Sequence, residues 1–361
     1  MSSTLAETKA EPITAPGGCR PLRREDVTEL ATLFNRVFLE CAEQPSAAFC
    51  AYFERVFFTD PWRSLDVSPS WVYETADGVI GGFFGAHPRR LLFEGRPITA
   101  VAVGQYMVDP CLRGRGIARQ LAQKMVDGPQ VITFTTSATE VSSKILRSLG
   151  FWHPRFEGMK WYRRFRRSRA AGLLGRWERS IRGSSSRTVE YGDVTCRPIG
   201  DADELHALRE QHQTHFSLCS DFDLEHARWT WDLLEDATAG RRLAGCVMLS
   251  RDDGASAWVV YHVSPGGTAR IHEFTCRPGR AREFLPAFDR YAAGCGAQEI
   301  IGHCADPEIT AAVLENGADV KDVFSGWAVH SKDRAVQSAI LNGQVFWSGL
   351  DGEAWLSFRG R

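Results

Sequence analysis

Two glycines and three arginines are packed into the fourteen residues VDPCLRGRGIARQL, from Val108 to Leu121. Gly114 and Gly116 sit where an apolar run ends and a helix-like run begins, and glycines in such a turn let a ligand come close to the main chain. Arg113, Arg115 and Arg119 point to an anionic ligand. Three anion-binding patterns compete for the stretch. A P-loop needs G-x-x-x-x-G-K-[ST], and no Lys-Ser or Lys-Thr stands here. A dinucleotide fingerprint needs a third glycine where Arg119 stands, and it follows the first strand of a βαβ unit, whereas several antiparallel strands precede this turn. What fits is R-x-x-G-x-A, made by Arg113, Gly116 and Ala118. The amides that open a helix have no intrahelical partner, and with the positive end of the helix dipole they favour an anion by about 0.3–1 kcal/mol at exposed sites.

The stretch resembles the GNAT acyltransferase superfamily, in which V-x-P-x-x-R-G-x-G-x-[GA] joins the fourth strand to the third helix. The matching residues are Val108, Pro110, Arg113, Gly114, Gly116 and Ala118. "LRSLGF", ending at Gly150-Phe151, resembles the family's later Gly-Phe signature, and "CRPLRREDVTEL", from Cys19, resembles its opening strand and helix. The resemblance covers about Cys19–Phe165. It implies acetyl-coenzyme A, or another acyl-coenzyme A, as cosubstrate, with no metal. The pyrophosphate would lie on Arg113, Gly114, Arg115, Gly116, Ile117 and Ala118, and the pantetheine arm along Tyr106, Met107 and Val108. The implied reaction is transfer of the acyl group to a primary amine of a small molecule or amino sugar.

Such a transfer needs a neutral amine, so a proton must leave to a base or to water. Main-chain amides of the fourth strand would stabilise the developing oxyanion. Many family members use a Glu on that strand as base and a Tyr four residues before the Gly of Gly-Phe as acid. Ala100 and Leu146 stand at those places here. Two substitutes offer themselves as catalytic residues. Tyr106, next to the expected thioester, could donate a proton; Glu140, in "TTSATEVSS", could act as a base through water. Tyr106 equally suits a packed strand aromatic, and Glu140 a carboxylate at a helix start. Thr135, Ser137 and Ser142 would line the same mouth or cap a helix, while Cys111, with no His partner nearby, reads as a small spacer and His153 as structural.

A frame must hold these residues. Glu25–Leu39 and Ala47–Phe57 have helical apolar spacing. "WVYETADGVIGGFFGA" reads as two strands joined at Asp77-Gly78, and "LLFEGRPITAVAVGQYMV" as two more around Glu94-Gly95. A helix over Ile117–Val126, a strand Val131–Phe134, a helix Val141–Leu149 and a last strand pair from Trp152 to Phe165 follow. The second half repeats the theme: a helix at Asp203–Gln211, a hairpin turning at Asp253-Gly254, the strand "RIHEFTC", a helix Ala281–Ala293, the strand "EIIGHC" and a helix Pro307–Asn316.

"CRPLRREDVTEL" from Cys19 and "CRPIGDADELHAL" from Cys196 form a weak internal repeat, each a short strand, a turn and a helix opened by Asp. Between the copies, Arg155 to Arg187 holds eleven Lys or Arg residues against Glu157 and Glu178, and it ends in the linker-like "RGSSSRT". The expected division is a tail at 1–15, a GNAT-like domain at 16–168, a basic, Ser-rich linker at 169–188 and a degenerate copy at 189–361. The class is α/β with mixed sheets: two GNAT-like domains, each a mostly antiparallel twisted sheet flanked by helices. "CRPGRAREFL", from Cys276, lacks R-x-x-G-x-[GA], so one coenzyme site is expected, in the first domain. The second would wall the acceptor cleft, with His272 and Glu273 on its central strand, or serve as a homodimer surface.

At 361 residues, net charge -1 and 43% hydrophobic content, the chain is an ordinary soluble globular protein with no overall pull toward nucleic acid or membrane. None of its ten cysteines forms a C-x-x-C pair, and no signal-like segment opens the chain, which reads as a cytoplasmic protein with reduced thiols. Two alternatives stay open: an acyltransferase that draws on aminoacyl-tRNA through the basic segment, and a catalytically inactive coenzyme A-binding protein.

Overall fold

Glu94 and Gly95 carry positive φ angles of 49° and 75°, the pair of conformations that a tight two-residue hairpin turn requires. They join strands Ile80–Phe93 and Arg96–Val108, which form the spine of the first of two sheets. The structure, a computed structural model, describes residues 17–41, 43–154, 159–165, 188–213, 216–236, 242–253, 256–264, 266–277, 279–304, 307–322 and 326–356. The tail at 1–15 and all of the expected linker except residue 188 lie outside them.

The first half runs β1 (Gly18–Pro21), α1 (Val27–Phe34), α2 (Ala47–Phe58), β2 (Trp71–Glu74), β3 (Ile80–Phe93), β4 (Arg96–Val108), α3 (Ile117–Val126), β5 (Ile132–Thr135), α4 (Glu140–Arg147) and β6 (Met159–Arg164). The second runs β7 (Val189–Tyr191), β8 (Val194–Pro198), α5 (Ala202–Gln213), β9 (Leu218–Ser220), α6 (Leu224–Asp236), β10 (Arg242–Ser250), β11 (Ser256–Val263), β12 (Thr268–Cys276), α7 (Ala281–Gly294), β13 (Glu299–Cys304), α8 (Pro307–Glu315), β14 (Asp319–Asp322), β15 (Ala328–Ser331), α9 (Arg334–Leu341) and β16 (Val345–Phe346).

The first sheet has the order β1-β2-β3-β4-β5-β15, with β9 on the far half of β3 and β16 on β9; the second has the order β14-β6-β13-β12-β11-β10-β8-β7. Each sheet is therefore finished by strands from the other half of the chain. β15 pairs antiparallel with β5, and β6 pairs antiparallel with β13. The strand pair expected from Trp152 to Phe165 is corrected accordingly. Trp152 makes one isolated bridge, to Val329, and Met159–Arg164 leaves for the second sheet. Two of the expected first-half strands also fuse into the single fourteen-residue β3.

α3 and α4 cover one face of the first sheet, where Ile117, Leu121, Met125 and Leu146 pack on Phe84, Val101 and Val103. The opposite face carries α1 and α2. There the core of Leu30, Phe53 and Phe83 runs unbroken into Leu205, Trp258 and Val260 of the second lobe. An apolar seam this continuous holds the lobes together as a core does, rather than as a wet domain contact. The repeat also survives in side-chain pairing. Arg20 holds Asp26 through two hydrogen bonds of 2.7 and 2.9 Å, tying β1 to the start of α1. Its counterpart Arg197 ties β8 to α5 through Glu204 at 2.5 Å, while Asp203 turns outward to Arg228.

Candidate active site

β4 and β5 run parallel and pair only from Ala100–Ala102 to Ile132–Phe134; β4 then continues alone to Val108. The strands part like the arms of a V, leaving roughly 15–20 Å of β4 edge unpaired on that side. A bulge marks the opening. Phe83 pairs with Met107 and Gly85 with Gly104, so Gln105 and Tyr106 together face Phe84. Gln105 takes a left-handed φ of 47°, a strained conformation for a side chain of this kind. His87 holds it there: fully buried and stacked on Phe57, it donates from Nε2 to Gln105 Oε1 at 3.0 Å. Burial pushes the His87 pKa down to about 3, so the ring is neutral.

The glycine turn follows directly. Asp109 accepts from the Cys111 amide at 3.0 Å and pairs with Arg36 at 3.1 Å, fixing the start of the turn. Leu112 is buried over Gly81, where a Cβ would come within 2.3 Å of its methyl group. Gly114 and Gly116 have φ of 81° and 78°, which demand glycine. The first bond of α3 runs from Gln120 N–H to Gly116 O at 3.1 Å, so the amides of Ile117, Ala118 and Arg119 lack an intrahelical acceptor. Arg113 and Arg115 stand exposed beside them. Exposed amides, unhindered glycines and cations together fit a bulky phosphate group.

Tyr106 links β4 to the start of α3. Its hydroxyl donates to the Ala118 carbonyl, and its ring stacks on Phe84 with centroids 4.2 Å apart. Burial, with a smaller contribution from Cys19, pushes its pKa up. Met107 is buried on the other face of the strand. Glu140 is exposed in the first turn of α4, where a carboxylate complements the helix dipole. Ser142 caps that helix reciprocally with Thr139. His153 binds the Trp327 carbonyl, joining α4's exit to the segment before β15.

Thr135 and Ser137, together with Thr136, converge on a residue that sequence reasoning missed. Glu353 is fully buried and accepts from Thr135 Oγ1 at 2.7 Å, Ser137 Oγ at 2.6 Å, Thr136 Oγ1 at 3.2 Å and the Thr136 amide at 3.0 Å. Burial pushes its pKa up, and the hydrogen bonds from Ser137, Thr135 and the Thr136 amide pull against that. Its segment is held from both lobes. Arg89 donates to the Asp351 and Gly352 carbonyls at 2.7 and 3.0 Å, and Arg209 donates to the Asp351 carboxylate at 2.7 Å. The available signal was "SGLDGEAWL": two carboxylates in an apolar stretch need buried partners.

The second lobe repeats this geometry without the phosphate turn. β12 pairs with β13 only from Thr268 to Arg270, and a bulge at His272 follows. Glu273 is buried, accepting from Trp258 at 2.6 Å and lying 3.6 Å from Arg209. Instead of facing solvent, the start of α7 is capped by Glu308, which accepts from the Gly279 amide at 2.6 Å and the Ala281 amide at 3.3 Å. A cavity of about 630 Å³ lies elsewhere, between the end of α2 and Pro88 of β3, and no residue of β4, β5 or the glycine turn lines it. Among the described residues no cluster of His, Cys, Asp and Glu could hold a metal ion, and no helix is long and apolar enough to cross a membrane.

Paired mixed sheets, each with a parallel fork beside a helix start, are the architecture of the two halves. Residues 19–131 match the family model described as the acetyltransferase (GNAT) domain. The fold is similar to that of a probable N-acyltransferase from Enterococcus faecalis V583, at 16% identity and a TM-score of 0.57 over 91% of this chain and 74% of that one. It is similar to a GCN5-related N-acetyltransferase from Anabaena variabilis, at 14% identity and 0.57 over 88% and 73%. Saccharomyces cerevisiae N-myristoyltransferase, solved with myristoyl-CoA, shares the fold at 12% identity and 0.52 over 90% and 82%. No curated protein matches the sequence.

Proposed function

We propose that the first lobe transfers an acyl group from acetyl-coenzyme A, or another acyl-coenzyme A, to a primary amine of a small molecule. The glycine turn carries this reading: left-handed Gly114 and Gly116 present the free amides of Ile117, Ala118 and Arg119 at the mouth of the β4–β5 fork. Arg113, Gly114, Arg115, Gly116, Ile117 and Ala118 would hold the pyrophosphate, and Tyr106, Met107 and Val108 would lie along the pantetheine arm. The cosubstrate supplies the thioester. The chain orients it, offers β4 amides at the bulge to the developing negative charge, and receives the amine's proton. Glu308 already takes the Gly279 and Ala281 amides at the start of α7, which argues against a second coenzyme site.

Of the residues considered for proton transfer, Tyr106 commits its hydroxyl to Ala118 and Glu140 stands exposed at a helix start. The described residues give the RNA-dependent alternative no support, and most of the basic segment lies outside them. In the described part of the basic segment, Arg163 pairs with Asp289 and Arg164 with Glu299. Isothermal calorimetry with acetyl-coenzyme A, followed by thiol release in the presence of tyramine, spermidine or glucosamine, tests the proposal. Binding with release supports it; binding without release points to the inactive coenzyme A-binding alternative; no binding refutes both.

A further inference from the structure

Neither Ala100 nor Leu146 can take a proton, yet one carboxylate reaches across the fork. A Cβ on Gly104 of β4 would lie 2.3 Å from Glu353 Cγ, so only glycine leaves room for that side chain. The far end of Glu353 accepts from Ser137, just past the end of β5. We propose that Ser137 and Glu353 form a proton relay for the acceptor amine, with Ser137 touching the amine and Glu353 acting behind it. The inference rests on the reading of the first lobe as an acyltransferase.

Three observations carry it. The first is position. Val103 packs among the α3 residues, so its neighbour Gly104 faces the opposite side of the sheet, and Glu353 lies there, across from the coenzyme turn. A nucleophile approaching on that side would meet the relay. The second is access. Glu353 is 0% exposed, whereas Ser137 is exposed, so a proton reaches the carboxylate through a hydroxyl. Ser137 both donates and accepts, as this requires. The third is preorganisation. Arg89 and Arg209 fix the residues just before Glu353, and Thr135 and Thr136 fix its oxygens.

The step balances. As the C–N bond forms and the C–S bond breaks, the amine's surplus proton passes to Ser137 Oγ and the proton of Ser137 passes to Glu353. Glu353 then returns a proton to Ser137 Oγ, and the Ser137 proton passes to the leaving thiolate, which leaves as the thiol. Glu353 is thus a positioning and proton-storing residue, and Ser137 is the group that touches substrate.

The test uses the full chain and the variants Glu353→Gln, Glu353→Asp and Ser137→Ala. Acetyl-coenzyme A affinity is read by calorimetry. Transfer to tyramine, spermidine and glucosamine is followed from pH 6 to 10. The Glu353 carboxyl band is read by infrared difference spectroscopy without cosubstrate. Expected are acetyl-coenzyme A affinities within twofold of wild type, and a kcat about 100-fold lower in Glu353→Gln and Ser137→Ala at pH 7 with KM little changed. That deficit should shrink as pH rises and the free amine grows, with partial rescue in Glu353→Asp. The carboxyl band should titrate above the ordinary carboxylate range and move in Ser137→Ala. A kcat kept in both variants would overturn the relay, as would a pH-independent loss that follows the melting temperature or a band indifferent to Ser137. So would a wild type that binds acetyl-coenzyme A but acylates none of the three amines. A wild type that does not bind acetyl-coenzyme A defeats the acyltransferase reading itself.

Discussion

Glu308 Oε2 lies 2.6 Å from the Gly279 amide, so a side chain of the second lobe sits where the first lobe keeps its amides free. The two lobes differ here by one internal anion. Removing it should weaken the start of α7 by about 1 kcal/mol, as for other lost caps. Glu308→Ala should therefore melt a few degrees lower, and inorganic phosphate should restore the loss in the variant while leaving the wild type unmoved. Scanning calorimetry with and without phosphate checks this. A variant indifferent to phosphate would show that the turn's shape, rather than the carboxylate, closes the second site.

Gly116 carries φ 78° at the start of α3. Gly116→Ala forces an L side chain into the left-handed region, costing about 1–2 kcal/mol, and tilts the amides that follow. Acetyl-coenzyme A affinity should fall at least tenfold by calorimetry. Arg115→Glu, which leaves the backbone intact, should lower affinity without lowering the melting temperature.

Tyr106 bridges β4 to Ala118. Tyr106→Phe keeps the stack on Phe84 and loses one buried hydrogen bond, worth about 1 kcal/mol. Stability and coenzyme affinity should both decline modestly, while the alkaline limb of the rate profile stays in place. Loss of that limb would make the hydroxyl the acid instead.

His87 gives a pH signature. Its folded pKa of about 3 lies below the ordinary value of 6.5, so between those values the unfolded chain binds a proton that the folded chain refuses. Stability is therefore full above about pH 6.5 and falls as pH drops toward 3, by up to roughly 1.4 kcal/mol per pH unit from this group. Urea melts of wild type and His87→Gln from pH 7 to 4 should show the wild type losing stability faster. Parallel curves would assign the acid sensitivity elsewhere.

The glycine turn and the helix after it were legible because their signals are local. Gly114 and Gly116 mark a turn, Ile117–Val126 shows its helical period, and the structure places a helix over those same residues. The Glu94-Gly95 and Asp77-Gly78 hairpins were equally plain, since turn chemistry acts over four residues. The partners of β5 and β13 were not legible. β15, β9 and β16 have four, three and two residues, too few for a periodic signal. Which edge a short strand joins is set by long-range packing. Glu353 escaped for the same reason, since the groups that bind it are more than two hundred residues away in the chain.

The reciprocal pairing of β15 with β5 and of β6 with β13 has a consequence for how the protein is made. A ribosome releases the glycine turn early, yet the fork beside it stays unfinished until Ala328–Ser331 and Glu353 emerge. Through most of translation, β5 presents a bare hydrogen-bonding edge to whatever else is nearby. The first sheet is thus completed late in synthesis, and an early stop would leave a nascent chain exposed to aggregation.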